Sequence, residues 1–192
     1  KFQKVTTMRS MFESAKRVKK IYFNTTNTIK RPVDLYKFVK NTSALNKMTV
    51  FKFKPTPDNP GNMSMREAFF NTNLEEVNIN HWDVSRVSSL NQTFRYSNFK
   101  TLNLSSWTPT QVNDMSFTFS EMFNVTHINI DGPGWANMPL VTTHTFAFNG
   151  ADYREGGEGV SKLKKIIGIQ NLDVSNSTNF KCFFQKLINW EF

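Results

Sequence analysis

The chain has 192 residues, 39% of them apolar and 20% charged, enough for one domain with a core of its own. Its formal net charge of +9 favours acidic partners such as nucleic acid, anionic lipid, acidic glycans or acidic proteins. The lone cysteine, Cys182, excludes an intrachain disulfide, and no apolar run is long enough to span a bilayer as a helix.

Along the chain one pattern recurs, with large apolar residues at most of the positions i, i+3 and i+7. It opens at Val5 (Met8, Phe12), degenerates at Pro32 (Leu35, Val39), and returns at Asn62 (Met65, Phe69) and Val87 (Leu90, Phe94). Further copies start at Val112 (Met115, Phe119), Val141 (His144, Phe148) and Ser177 (Phe180, Phe184). The middle three starts, 62, 87 and 112, are 25 residues apart. A fixed period of this size predicts stacked supersecondary units, a solenoid, with binding rather than catalysis as the default function.

Each copy reads the same way. The spacing of Val87, Leu90 and Phe94 predicts one face of a short helix, with Ser85, and Asp83 just upstream, offering an N-cap. Phe99 follows as an apolar anchor, and Leu102-Asn103-Leu104 alternates as a short strand. Trp107 then re-enters the core. The strand slot is filled by Ile21-Tyr22-Phe23, Met48-Thr49-Val50, Val77-Asn78-Ile79 and Ile128-Asn129-Ile130 in other copies. Near residues 160–170 two registers compete: anchoring on Leu172-Asp173-Val174-Ser175 gives a strand at Ile167-Gly168-Ile169, and anchoring on Leu163 shifts it by one residue. Gly168 then marks either a bulge or a misplaced register.

The expected architecture is therefore an α/β solenoid: a leucine-rich-repeat-like stack, with one short parallel strand and one short helix per roughly 25-residue repeat. It forms a single repeat domain over 1–192, with about seven repeats starting near 5, 32, 62, 87, 112, 141 and 177 and the last incomplete. One unit alone buries too little apolar surface to offset the entropy of ordering it, so neighbours must share their apolar faces. The Pro-rich segment 54–61, the Gly-Pro-Gly segment 131–138 and the Gly-rich segment 151–161 fall outside the repeat frame and read as rim loops. Trp190 takes the slot of Val18 and Val125, and no polar capping unit is visible at either end. The chain is accordingly expected to be a fragment of a longer surface protein, or to have its ends covered by another domain.

The string Trp82-Asp83-Val84-Ser85-Arg86-Val87, continued by Leu90 and Phe94, resembles the tandem W-D-[VT]-S-x-V-x-x-M-x-x-M-F repeats of mycoplasma surface lipoproteins, within the BspA-like leucine-rich-repeat group. Here the phenylalanine stands one position later. Leu172-Asp173-Val174-Ser175-Asn176 matches well, and Trp107-Thr108-Pro109-Thr110-Gln111-Val112 less closely. The resemblance implies a solenoid displayed on the bacterial cell surface, outside the membrane, acting in adhesion or host interaction. It carries no catalytic motif. Its membrane members are anchored through a lipid-modified N-terminal cysteine, and Cys182 lies inside a repeat, so any anchor is expected outside this chain.

In-register strands would place Tyr22, Thr49, Asn78, Asn103 and Asn129 in one outward column. Lys20, Lys47, Glu76, Thr101 and His127 would form a second, and Asn24, Phe51, Asn80, Ser105 and Asp131 a third. The first two columns form the candidate ligand face, suited to a protein or glycan on a host or neighbouring cell. Stacked asparagines that only bond one another are the competing structural explanation. Trp82, Trp107 and Trp135 read as core. His81, His127 and His144 occupy different slots without metal-ligand spacing, and no phosphate-binding loop or nucleophile motif is present, so no enzyme activity, metal or cofactor is expected. Two alternatives remain. One is polyanion or nucleic-acid binding through the basic charge, which the scattered lysines disfavour. The other is a structural spacer. Oligomeric state is left open.

Overall fold

A Ser, Thr, Asp or Asn stands immediately before the i+3 position of every repeat: Thr7, Asp34, Ser64, Ser89, Asp114, Thr143 and Asn179. In the computed structural model, which describes residues 4–31, 33–56, 63–150 and 161–189, that side chain bends the backbone. Its oxygen accepts the N–H two residues on, as in Asp34 to Tyr36 (2.9 Å), Asp114 to Ser116 (2.8 Å) and Asn179 to Lys181 (3.0 Å). Thr7, Ser64, Ser89 and Thr143 do the same at 3.2–3.4 Å. Such local bonds compete directly with helix formation.

The chain then makes a pair of tight turns, and the expected helix is absent. In the copy at Leu90, Thr93 N–H closes onto the Leu90 carbonyl and Ser97 N–H onto that of Phe94. Gln92 and Tyr96, third in each turn, adopt φ of 55° and 59°. The same left-handed pairs recur at Ser10/Ser14, Lys37/Asn41, Glu67/Asn71, Phe117/Glu121 and Cys182/Lys186. The alternate N–H groups leave the coil altogether: Leu90, Gln92, Phe94 and Tyr96 donate to the carbonyls of Asp114, Ser116, Thr118 and Ser120 at 3.0–3.3 Å. A helix would have used the donors beyond its first turn internally. The only helical element among the described residues is a three-residue 3-10 turn, Ile169–Asn171. The Asp83 carboxylate accepts the Ser85 N–H at 3.0 Å in the same kind of local turn, so the expected N-cap has no helix to cap.

The strands are short and their pairing is parallel throughout. In chain order they are β1 (Lys20–Tyr22), β2 (Thr28–Ile29), β3 (Lys47–Thr49), β4 (Lys52–Phe53) and β5 (Met63–Ser64). There follow β6 (Val87–Ser89), β7 (Thr101–Asn103), β8 (His127–Asn129) and β9 (Lys165–Ile167). β1 pairs with β3, β2 with β4, β5 with β6, and β7, β8 and β9 form one sheet. The protein is a parallel β-solenoid, and the turn arms and strands form two sides of its coils. The register near 165 is the shifted one, with Ile128 opposite Ile166. Gly168, at φ 87°, absorbs the extra residue; a Cβ there would stand 2.4 Å from the Asp131 Cα. The Val77-Asn78-Ile79 segment, expected as a strand, is unpaired.

The repeat spacing puts like residues over like in the core. Phe69, Phe94, Phe119 and Phe148 stack with centroids 5.6, 5.6 and 4.9 Å apart. Trp82, Trp107 and Trp135 are fully buried, and each indole N–H donates at 2.9 Å to a carbonyl of the preceding coil: Phe51, Ile79 and Leu104. Burying the indole therefore leaves no donor unpaired. Thr93 and Thr118, buried at the inner corner of the turns, return their hydroxyls to the Leu90 and Met115 carbonyls and also reach the coil before. Phe51, expected among the outward residues, is buried in this core.

On the outer side of the turns, Glu121 is fully buried and paired with Arg95, whose guanidinium lies 4.8 Å from the Tyr96 ring centroid and 4.5 Å from that of Phe117. Burial opposes the charge on Arg95, and the hydrogen bond and charge of Glu121 outweigh it, so its pKa is raised. Segments 57–61 and 151–160, which hold most of two of the expected rim loops, and the residues Asn62, Trp190 and Phe192 lie outside the described residues.

Candidate ligand-binding cleft

Period-2 alternation turns every second strand residue outward, and the parallel registers align those residues across coils. Lys20 lies opposite Lys47 and Tyr22 opposite Thr49 across β1 and β3. Thr101 lies opposite His127 and Asn103 opposite Asn129 across β7 and β8. Lys165 and Ile167 of β9 continue the two columns. Both expected columns therefore form at each end of the face, and Glu76 and Asn78 fall between them, outside any ladder.

The break in pairing opens a cleft of about 590 Å3, lined by Asn46, Lys47, Met48, Glu76, Val77, Asn78, Asn80, Thr101 and Asn103. Two hollows adjoin it. One, of about 290 Å3, is lined by Thr25, Met48, Thr49, Val50, Lys52, Asn78 and His81. The other, of about 360 Å3, runs from Phe53 and Lys54 past Asn80 and His81 to Ser106 and Thr108. The cleft thus gathers Lys47, Glu76, Asn78, Thr101 and Asn103, with Thr49 in the adjoining hollow. Lys20 and Tyr22 flank it on β1, and His127 and Asn129 stand one strand beyond it.

Hydrogen bonding separates this cleft from the asparagines around it. Asn71 donates to Asn41 at 3.0 Å and Asn98 to Asn73 at 3.3 Å, while Asn124 bonds both Asn98 and Lys162. Asn129 accepts the Asp131 N–H at 2.9 Å and Asn103 the Ser105 N–H at 3.1 Å. The stacked ladder expected of the strand column is therefore built one step upstream, and within the column the bonding of Asn103 and Asn129 is local. Asn80 is tied to Ser106 through both its amide atoms. Among the described residues, the side chains of Asn46, Lys47, Glu76, Asn78 and Thr101 make no hydrogen bond or ion pair, and the Asn103 amide nitrogen is likewise open.

Asn46 is a cleft residue that sequence reasoning missed. It precedes β3 where the other coils carry Lys19, Glu75 and Lys100, and nothing in the repeat distinguishes it. Lys100 pairs with Glu75 at 2.6 Å beside the cleft, an exposed ion pair. No group of three potential metal ligands occurs among the described residues. The one Ser–His contact among them, Ser177 Oγ to His144 Nδ1 at 2.9 Å, faces the core: His144 is fully buried and its Nε2 has no partner.

A family model described as a Mycoplasma protein of unknown function, DUF285, matches residues 58–156, a stretch that includes most of the cleft lining. No curated protein and no solved structure matches the chain.

Proposed function

We propose that this chain, which belongs to the DUF285 family of Mycoplasma proteins, is a non-enzymatic interaction module displayed on the bacterial cell surface. In this reading the solenoid is a rigid scaffold, and its strand face binds a protein or glycan of a host or neighbouring cell. The observation that carries the reading is the cleft. Asn71, Asn98 and Asn124 bond other asparagines and Asn129 its own backbone, whereas Asn46, Asn78, Thr101 and part of Asn103 hold open donors and acceptors in one concave place. Concave sites with converging polar groups are where ligands bind, and solenoids commonly bind through such faces.

The test fills the cleft. Purified protein is expected to bind cultured host epithelial cells, and the double variant Asn78→Trp/Asn103→Trp is expected to lose that binding while remaining cooperatively folded, because both side chains are exposed and the change gives up one local hydrogen bond, from the Ser105 N–H to Asn103. Undiminished binding by the double variant would contradict the reading. A second reading, polyanion binding, draws on the net charge of +9. It requires binding that collapses between about 50 and 200 mM salt, whereas the cleft requires binding that changes little over that range.

A further inference from the structure

We infer that the cleft recognises a neutral, hydroxyl-rich glycan, with the amides of Asn46, Asn78 and Asn103 as its hydrogen-bonding groups and Tyr22 as a stacking surface. This rests on the cleft reading and names its ligand class. A primary amide offers two donors and an acceptor in one plane, and a sugar hydroxyl is both donor and acceptor, so adjacent hydroxyls can bridge one amide. Asn46 and Asn78 present whole amides and Asn103 its nitrogen, and the Thr101 hydroxyl lies in the same lining.

Charge narrows the class. Within the cleft itself Lys47 and Glu76 balance one another, one cation and one anion, neither held by another side chain among the described residues, while Lys20 and Lys52 stand outside it, on β1 and in the adjoining hollow. An acidic sugar would meet the Glu76 carboxylate, and a cationic ligand the Lys47 ammonium. An uncharged ligand can accept from one and donate to the other at once.

Tyr22 supplies an apolar component. Its side chain is 61% exposed on β1 and has no hydrogen bond or ring contact among the described residues. It stands across from Thr49, and Thr49 and Asn78 line the same hollow. An exposed tyrosine one strand spacing, about 4.8 Å, from that hollow offers a flat apolar face beside a polar one, to which the C–H face of a pyranose is complementary. A peptide is the poorer fit. Met48 and Val77 are the only apolar members of the lining, so there is no pocket for an anchoring side chain.

The experiment uses the whole chain against immobilised neutral oligosaccharides (N-acetyllactosamine, lactose, chitotriose and maltotriose), with sialylated lactose and heparin beside them. The inference expects binding to at least one neutral probe, weakened about tenfold or more by Asn78→Ala and several-fold by Tyr22→Ala, with unchanged melting temperatures. Binding to none of the neutral probes, preference for sialyllactose or heparin, or neutral-probe binding indifferent to both substitutions overturns it. The cell assay separates the two readings. If periodate oxidation of cell-surface glycans leaves binding intact and Asn78→Trp/Asn103→Trp still abolishes it, the glycan inference fails and the cleft stands. If neither treatment reduces binding, both fail.

Discussion

His144 occupies the slot that Met8, Leu35, Met65, Leu90 and Met115 fill in other coils. It lies flat on Phe180 at a centroid distance of 5.4 Å, with the edge of Phe183 against it at 5.6 Å. Burial pushes its pKa down to about 4 from an ordinary value of 6.5, and the nearby Asp173 charge opposes the shift only partly. The folded state therefore binds its proton less readily than the unfolded chain, and stability present above pH 6.5 is lost as pH falls toward 4. From that shift the protein is expected to lose about 2 kcal/mol between pH 7.5 and pH 5. His144→Met, which restores the residue of the neighbouring coil, should remove most of that dependence. Urea denaturation at the two pH values checks it, and an equal loss in the variant would refute the account.

Whether a chain segment of spacing i, i+3, i+7 becomes a helix or a pair of turns is decided by its polar residues. Val87, Leu90 and Phe94 reach the core in both conformations, so apolar periodicity alone could not tell them apart. The polar signal, in Ser89 and its counterparts Asp34, Asp114 and Asn179, was ambiguous too, because such residues stand before a helix as readily as in a local turn. The stacking, the tryptophan and phenylalanine core, and the register of β1 with β3 and of β7 with β8 followed from the repeat. The unpaired segment at 77–79 did not, because Val77-Asn78-Ile79 alternates as well as Leu102-Asn103-Leu104 does. The turns also hold non-glycine residues in left-handed conformations. Ser14, at φ 58°, exposed and with no side-chain hydrogen bond, suits a test. Ser14→Gly should stabilise by about 0.5 kcal/mol, relief of the left-handed penalty exceeding the added freedom of the unfolded chain. Ser14→Val should destabilise by about 1–2 kcal/mol, since a branched Cβ suits that conformation poorly. Thermal melts that ranked Val above Gly would contradict the turn geometry.

At the scale of the whole molecule, each coil is held by donors that its neighbour satisfies. The turn arms, the short sheets and the aromatic columns all join residues about one repeat apart, so stability spreads along the stack from interface to interface. The cleft depends on that continuity: β3 and β7 can frame it because coils on both sides hold them in place. What makes the stack continuous is that alternate N–H groups of each turn arm cross to the next coil. Nuclear magnetic resonance couplings transmitted through hydrogen bonds, from amide nitrogen to carbonyl carbon, observe this directly. Couplings are expected from Gln92 to Ser116 and from Phe94 to Thr118. A coupling from Phe94 back to Leu90, the bond of an α-helix, with none to Thr118, would contradict the account.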